Sequence, residues 1–423
     1  MSDQGATVSN AMIPSHVPPE RVCPYDSAHG PEVMAFPPAA LDGLREKRAV
    51  FYSTFYGGFW VFTRYEDVRK AFQDHKHFPQ HPSGIPQAPY GQKLIPLLLD
   101  QPEHIAYKKI MQPIFSPRQM ARLEPLIRAF ARERLAEFAP KGRIEFASEF
   151  ALAMSSAMFC GILDLPTAEF PLFHAMSYGL VYEVVNVWKN RGEAAAKALR
   201  LKKMQEIQSF ITDLVPRRRA APREDAISIL LGSQVFGRPL TDEEVINMGV
   251  TLFFAGTDST AAAVTYAHAF LAEHPEHRQK LIDHIDDGDY VWNASEELLR
   301  FHGFHHMARQ VPEDCELGGV QLKKGDTIVL PTGSANRDDR QFPDPYSVDL
   351  ERKNARTHLT FGAGIHRCIG SHLATVQLRV ALQEVHRAIP DYRLVSPVVY
   401  VSGGPKVVPH EVNFEFTPNS FRA

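Results

Sequence analysis

The run TDEEVINMGVTLFFAGTDSTAAAVTYAHAFLAEHPEH, residues 241–277, constrains the fold more than any other part of the chain. It opens on a capping box, Thr241 with Glu244 three residues on, and its helical pattern runs to residue 273. About 33 helical residues span ~50 Å at 1.5 Å each, enough to cross a whole domain. Apolar residues on nearly every side of its middle require burial. Yet that middle holds Asp258, Ser259 and Thr260 just after Gly256. A buried carboxylate is costly unless paired, and a mid-helix glycine costs ~1 kcal/mol relative to alanine. One explanation is a kink, with hydroxyls bonding back to carbonyls one turn earlier.

The remaining pattern is mainly helical, over 117–138, 147–161, 167–190, 193–215, 276–285 and 290–301. GGFWVFTRYEDVRKAF (57–72) reads as a short aromatic strand turning into a helix, and strand-like pieces cluster at 315–331 and 392–404. VPRRRAAPRED (215–225) reads as a basic, proline-flanked connecting loop. With no internal repeat and no low-complexity linker, the expectation is one mainly α domain with small β-sheets, spanning 41–423, preceded by an N-terminal arm, 1–40.

A net charge of −3 gives no support for nucleic-acid binding. The polar, proline-bearing start lacks the charged-then-apolar pattern of a signal peptide, and no window reaches the ~18 apolar residues of a membrane helix. Four scattered cysteines do not suggest a disulfide framework, which fits a reducing compartment such as the cytoplasm.

One cysteine stands apart. In FGAGIHRCIG (361–370), Cys368 lies in a glycine-rich turn just ahead of an apolar helical run. The end of a helix with unpaired N–H groups stabilises a thiolate, and the glycines permit close approach to something flat and bulky. A lone cysteine is ordinarily a buried inert thiol, and His366, Cys368 and His372 could also be read as zinc ligands, though without familiar zinc spacing. The ten-residue pattern F-G-x-G-x-H-x-C-x-G, however, resembles the haem-binding loop of the cytochrome P450 family. The resemblance covers about residues 45 to 415. It implies a single-domain cytochrome P450 fold with the long central helix over the haem, haem b as cofactor, Cys368 as axial ligand of its iron and His366 at a haem propionate.

Other motifs fall in the family's order. EELLR places Glu297 and Arg300 at i and i+3, one helix face where an ion pair forms. By resemblance, Arg352 in VDLERK completes a buried network bracing the cysteine loop, and Arg309 binds a propionate. DQPEHIAYKKIM (100–111) resembles the element that turns His104 and a basic residue to the propionates. Here the basic residue is Lys108, a point charge without the bidentate fork of arginine. AGTDST resembles the oxygen-binding groove, with Asp258 as the acid and Ser259 where the family's alcohol is usually threonine. Serine keeps the hydroxyl and loses the methyl that restricts its rotamer.

The resemblance is closest to soluble bacterial members that hydroxylate small terpenoids, such as the camphor- and cineole-hydroxylating group. It implies a monooxygenase that inserts one atom of O2 into a small lipophilic substrate, terpenoid or aromatic-like. Electrons would come from NAD(P)H through a reductase and a ferredoxin. The alternatives are a peroxide-driven peroxygenase and a non-catalytic haem ligand sensor. The pocket carried over consists of Leu94, Leu97, Thr251, Phe254 and His305. Most are apolar, and His305 reads either as a surface histidine or as the partner of a substrate oxygen.

Overall fold

The computed structural model describes residues 13–80, 84–85, 93–402, 405–419 and 421. It is 57% helical with several small sheets, as the sequence pattern predicts. Contacts gather the chain into two compact units. The first draws on Met1–Ala88, Glu296–Cys368 and Tyr400–Val408, the second on Pro89–Ser295, Ile369–Val399 and Pro409–Ala423.

The first unit is built on a four-stranded sheet. Its strands are β1 (Val50–Ser53), β2 (Phe59–Phe62), β3 (His306–Gln310) and β4 (Thr327–Pro331), in the order β1-β2-β4-β3. β1 and β2 are antiparallel with Val50 opposite Phe62, β2 and β4 are parallel, and β3 is antiparallel to β4 with Ala308 opposite Val329. Both faces of β2 are buried, so FWVF reads as an unbroken apolar run rather than an alternating one. Trp60 and Ile328 lie in one core cluster, Phe59 and Val329 in another. Of the segment read as an arm, residues 1–12 lie outside the described residues, whereas Tyr25 and Val33 sit in the second of these clusters.

The second unit forms around the helix Asp242–Glu273. Both arms of its capping box are made: Glu244 N donates to Thr241 Oγ1 at 3.3 Å and Thr241 N to Glu244 Oε2 at 2.7 Å. The helix runs uninterrupted for 32 residues, and Val245, Met248, Val250, Val264 and Leu271 are fully buried along it. The helices Pro117–Phe138 and Ser371–Ala388 pack together. Arg128 and Arg132 of the first donate to the buried carboxylate of Glu384 on the second, at 2.5 and 2.7 Å. Burial would raise the Glu384 pKa, but these bonds outweigh it and hold the group below its ordinary range.

One expectation fails here. The segment read as a loop from residue 215 continues the helix Glu193–Ala220, with Pro216 inside it. Proline in a helix interior costs ~3 kcal/mol. Tertiary contacts offset that penalty: Leu214 and Val215 are buried, and Arg218 is only 3% exposed. Arg218 donates to Asp225 at 2.6 Å and to the carbonyls of Leu163 and Asp164 at 2.8 and 3.0 Å. Asp225 in turn caps the next helix by accepting from Ser228 N.

Candidate functional site

In the first unit, Glu297 and Arg300 meet at the expected helical spacing, and both are fully buried. Arg300 donates to the two Glu297 carboxylate oxygens at 2.7 and 2.8 Å, a bidentate pair. Arg352 adds a third bond, Nε to Glu297 Oε1 at 3.0 Å. The rest of both guanidinium forks is spent on backbone carbonyls: Asn336, Pro345 and Ser347 for Arg300, and Pro343, Asp344 and Ser347 for Arg352. A buried ion pair is tolerated when its remaining donors are satisfied in this way.

Sequence reasoning missed the residue that carries this network to the cysteine loop. Asn336 accepts from Arg300 through its carbonyl, while its side chain takes Leu359 N at 2.6 Å and donates to Thr360 Oγ1 at 2.8 Å. Thr360 Oγ1 then donates to Leu299 O at 2.7 Å. The chain entering FGAGIHRCIG is thus tied to the helix bearing Arg300. No periodicity marks Asn336; only its polarity within a stretch the fold buries could have signalled it.

The loop itself turns sharply. Gly362 and Gly364 have φ of 67° and 68°, in the left-handed region. A Cβ on Gly364 would lie 2.5 Å from Phe72 O, whereas one on Gly362 would meet nothing within 4 Å. Cys368 N donates to Phe361 O at 2.8 Å, closing the turn, and Cys368 is the exposed member of the four cysteines. The helix that follows starts at Ser371 with Gly370 as its cap, so Cys368 stands just before the helix rather than in its first turn. His366 ends the short helical turn Gly364–His366. On β3 and just before it, strand alternation turns His305, Met307 and Arg309 to one face. Arg309 is buried, with its guanidinium 5.6 Å from the Phe72 ring centre.

The second unit holds the other expected residues. His104 is buried and Lys108 half-buried on the helix Glu103–Met111, one turn apart on one face. Tyr107 of this helix donates to Glu244 at the start of the central helix. Further along the central helix, Thr251 is buried and bonds back to Asn247 O at 2.8 Å. Phe254, Asp258 and Ser259 are only partly buried and Ala255 is exposed, so the helix, enclosed over 247–253 and 260–271, opens along one stripe between them. Thr260 is turned away and buried. Leu94 is buried and Leu97 half-buried. His372 of the zinc reading packs its ring 5.3 Å from Trp292.

The polar run does not break the central helix, and the glycine within it is explained by a neighbouring helix. Thr257 Oγ1 donates to Phe253 O at 2.7 Å, the one-turn back-bond expected of a hydroxyl there, and the helix continues past it. Gly256 leaves room for a neighbour: a Cβ would lie 2.3 Å from Cζ of Phe159 on the helix Ala153–Ile162.

A model of the family described as Cytochrome P450 matches residues 50–387. The probable cytochrome P450 127A1 of Sinorhizobium fredii is 31% identical, with 93% of this chain and 94% of that protein covered. Pentalenic acid synthase of Streptomyces avermitilis is 28% identical over 94% of each chain. Among solved structures, that of cytochrome P450 CYP101C1 is similar with a TM-score of 0.85 and 28% identity, over 96% of this chain and 100% of that one.

Proposed function

Because the chain belongs to the cytochrome P450 family and is a cytochrome P450 monooxygenase, we propose that it oxidises a small lipophilic substrate, terpenoid or aromatic-like, in the cytoplasm. The family implies a haem iron cofactor, here proposed to be haem b. The observation that carries the reading is the Cys368 loop: an exposed thiol on a glycine turn, tied through Asn336 to the buried Glu297–Arg300–Arg352 network.

The donor set fits such a group. Cys368 offers a thiolate, and the open space beside Gly362 leaves room for a flat partner. Arg309, His366, His104 and Lys108 are the cationic or hydrogen-bonding groups proposed for the propionates. When bound, haem supplies the one-electron and dioxygen chemistry that side chains lack. The protein's part is to orient, exclude water and deliver protons. Asp258 takes a proton at its carboxylate and Ser259 Oγ carries it onward, a division of labour supported by their neighbouring places on the open stripe of the central helix. Leu94, Leu97, Thr251, Phe254 and His305 line the proposed pocket, and a ferredoxin with its NAD(P)H-dependent reductase supplies the electrons. Among the described residues no helix is long and apolar enough to cross a membrane.

The test is ligation. Cys368→Ala should abolish the red-shifted Soret band that thiolate ligation gives the reduced carbonyl complex. A variant that keeps the band would overturn the assignment.

A further inference from the structure

The helix Glu103–Met111 needs an outside anchor. It has nine residues and no side-chain cap at its N-terminus, and a helix this short is marginal by itself. The anchor is Tyr107, buried within the second unit, whose hydroxyl donates to Glu244 Oε1 in the first turn of the central helix. Tyr107 lies three residues after His104 and next to Lys108. What holds its ring therefore sets the roll of the helix about its axis, and with it the direction of the face that His104 and Lys108 share.

Glu244 is itself fixed. Arg238 Nη2 and Nη1 donate to its Oε1 and Oε2, each at 2.8 Å, a bidentate pair. Oε2 also accepts from Thr241 N at 2.7 Å and from Thr241 Oγ1 at 3.1 Å. The Arg238 bonds, against the opposing effect of burial and with help from Tyr107, draw the Glu244 pKa down to about 2. Burial and then Glu244 raise that of Tyr107. The acceptor is thus ionised and the donor protonated throughout the neutral range.

Arg238 comes from a hairpin with an unusual turn. Val235 pairs with Arg238 across Phe236 and Gly237, whose φ angles are 49° and 75°. Such a turn favours Asn-Gly, because the left-handed region is costly for a bulky side chain. Phe236 is also 62% exposed, so neither backbone preference nor burial selects a phenylalanine there. Its one partner of note is Tyr107: the two rings meet edge-on with centres 6.3 Å apart. Strain of this kind persists where the surroundings make use of it.

We propose that Tyr107 is a positioning residue for the cofactor: tied to Glu244 and packed on the Phe236 ring, it holds the helix Glu103–Met111 at the roll that presents His104 and Lys108 to the haem propionates. This rests on the haem reading above, including the propionate role proposed there for His104 and Lys108.

The experiment follows haem loss from the ferric haem-loaded full chain to excess apomyoglobin, read as the Soret change on transfer. Tyr107→Phe keeps the ring and removes the hydroxyl, and should speed the loss about 10-fold, the order expected of a hydrogen bond to a carboxylate. Phe236→Asn suits the turn better yet should also speed the loss, about 3-fold, because the ring contact is gone. An effect through fold stability alone would leave that rate unchanged or slow it. In a His104→Ala, Lys108→Ala background, itself faster than the native chain, Tyr107→Phe should add less than about 2-fold, since the groups it positions are absent. A native rate in Tyr107→Phe or in Phe236→Asn, or an equal effect of Tyr107→Phe in both backgrounds, would overturn the positioning role. The two readings separate cleanly. A His104→Ala, Lys108→Ala variant that loses haem no faster than the native chain fails the propionate role and the proposal with it. A faster one, with Tyr107→Phe at the native rate, fails the proposal alone.

Discussion

Lowering the pH from 7 to 5 should destabilise this protein strongly through histidines that take no part in its chemistry. His268 of the central helix and His386 of the helix Ser371–Ala388 stack at 5.6 Å, and both are buried. Their Nδ1 atoms reach the carbonyls of Val264 and Leu382 at 2.8 and 2.6 Å, and Tyr392 meets His386 Nε2 at 3.2 Å. Burial pushes the His268 pKa down to about 4. For His386, burial and then the neighbouring His268 push it to about 3. In the unfolded chain both titrate near ~6.5. The folded state therefore binds fewer protons, so the stability is fully present above pH 6.5 and is lost as the pH falls toward the folded values. The slope is about 1.4 kcal/mol per pH unit for each ring. At pH 5 the pair subtracts roughly 4 kcal/mol, a large share of a typical total of ~5–15 kcal/mol. His306 and His410, each pushed to about 4 by burial, add to the same trend. Urea midpoints measured from pH 7.5 to 5 should fall steeply in the native chain. In a His268→Gln, His386→Gln double variant the curve should be shallower by about 2–3 kcal/mol per pH unit, whatever its stability at pH 7.5. Parallel curves for the two proteins would refute the reasoning.

Three further outcomes follow from the central helix. Asp258→Asn should slow turnover by about 10²-fold while leaving the substrate-induced spin shift intact; an equal loss in binding would make Asp258 a structural or substrate contact instead. Ser259→Thr should preserve or improve the coupling of electrons to product, whereas a fall in peroxide-supported activity with negligible ferredoxin-supported turnover would favour the peroxygenase alternative. Gly256→Ala drives a methyl into the Phe159 ring and should lower stability by about 1–3 kcal/mol, read as a drop in melting temperature; an unchanged melt would show that the ring yields freely.

What could be read in advance was local. The capping box needs only Thr241 and Glu244, and the Glu297–Arg300 pair needs only adjacent helical turns, so both were legible as spacing. Arg352 joins Glu297 from 55 residues away, and only the family resemblance could place it. The helix through Pro216 was not legible because its stabilisation comes from Arg218 buried against Leu163 and Asp164, contacts that no window around residue 216 contains. For Gly256 the sequence displayed a defect without its cause, which lies on another helix. Asn336 offered only its polarity, and an asparagine looks the same in sequence whether it is solvated or clamps a loop.

The meeting of Gly256 and Phe159 also bears on how this enzyme can change. The ring that fills the glycine's place is itself held by neighbours: Phe159 stacks on Phe173 at 6.3 Å, and Phe173 packs 4.8 Å from Phe253, one turn before Gly256 on the same helix. The three rings and the glycine close a circuit, so a residue beside the proposed proton-carrying pair is chosen by a side chain on another helix. A search that varies only positions 254–259 meets a wall at 256, because every alternative collides with Phe159 before it can alter reactivity. The wall is conditional: with leucine at 159, alanine at 256 becomes admissible, and the two substitutions should be far less damaging together than the sum of their separate effects. Change at this site therefore has an order, with the hidden ring giving way first and the exposed helix face following.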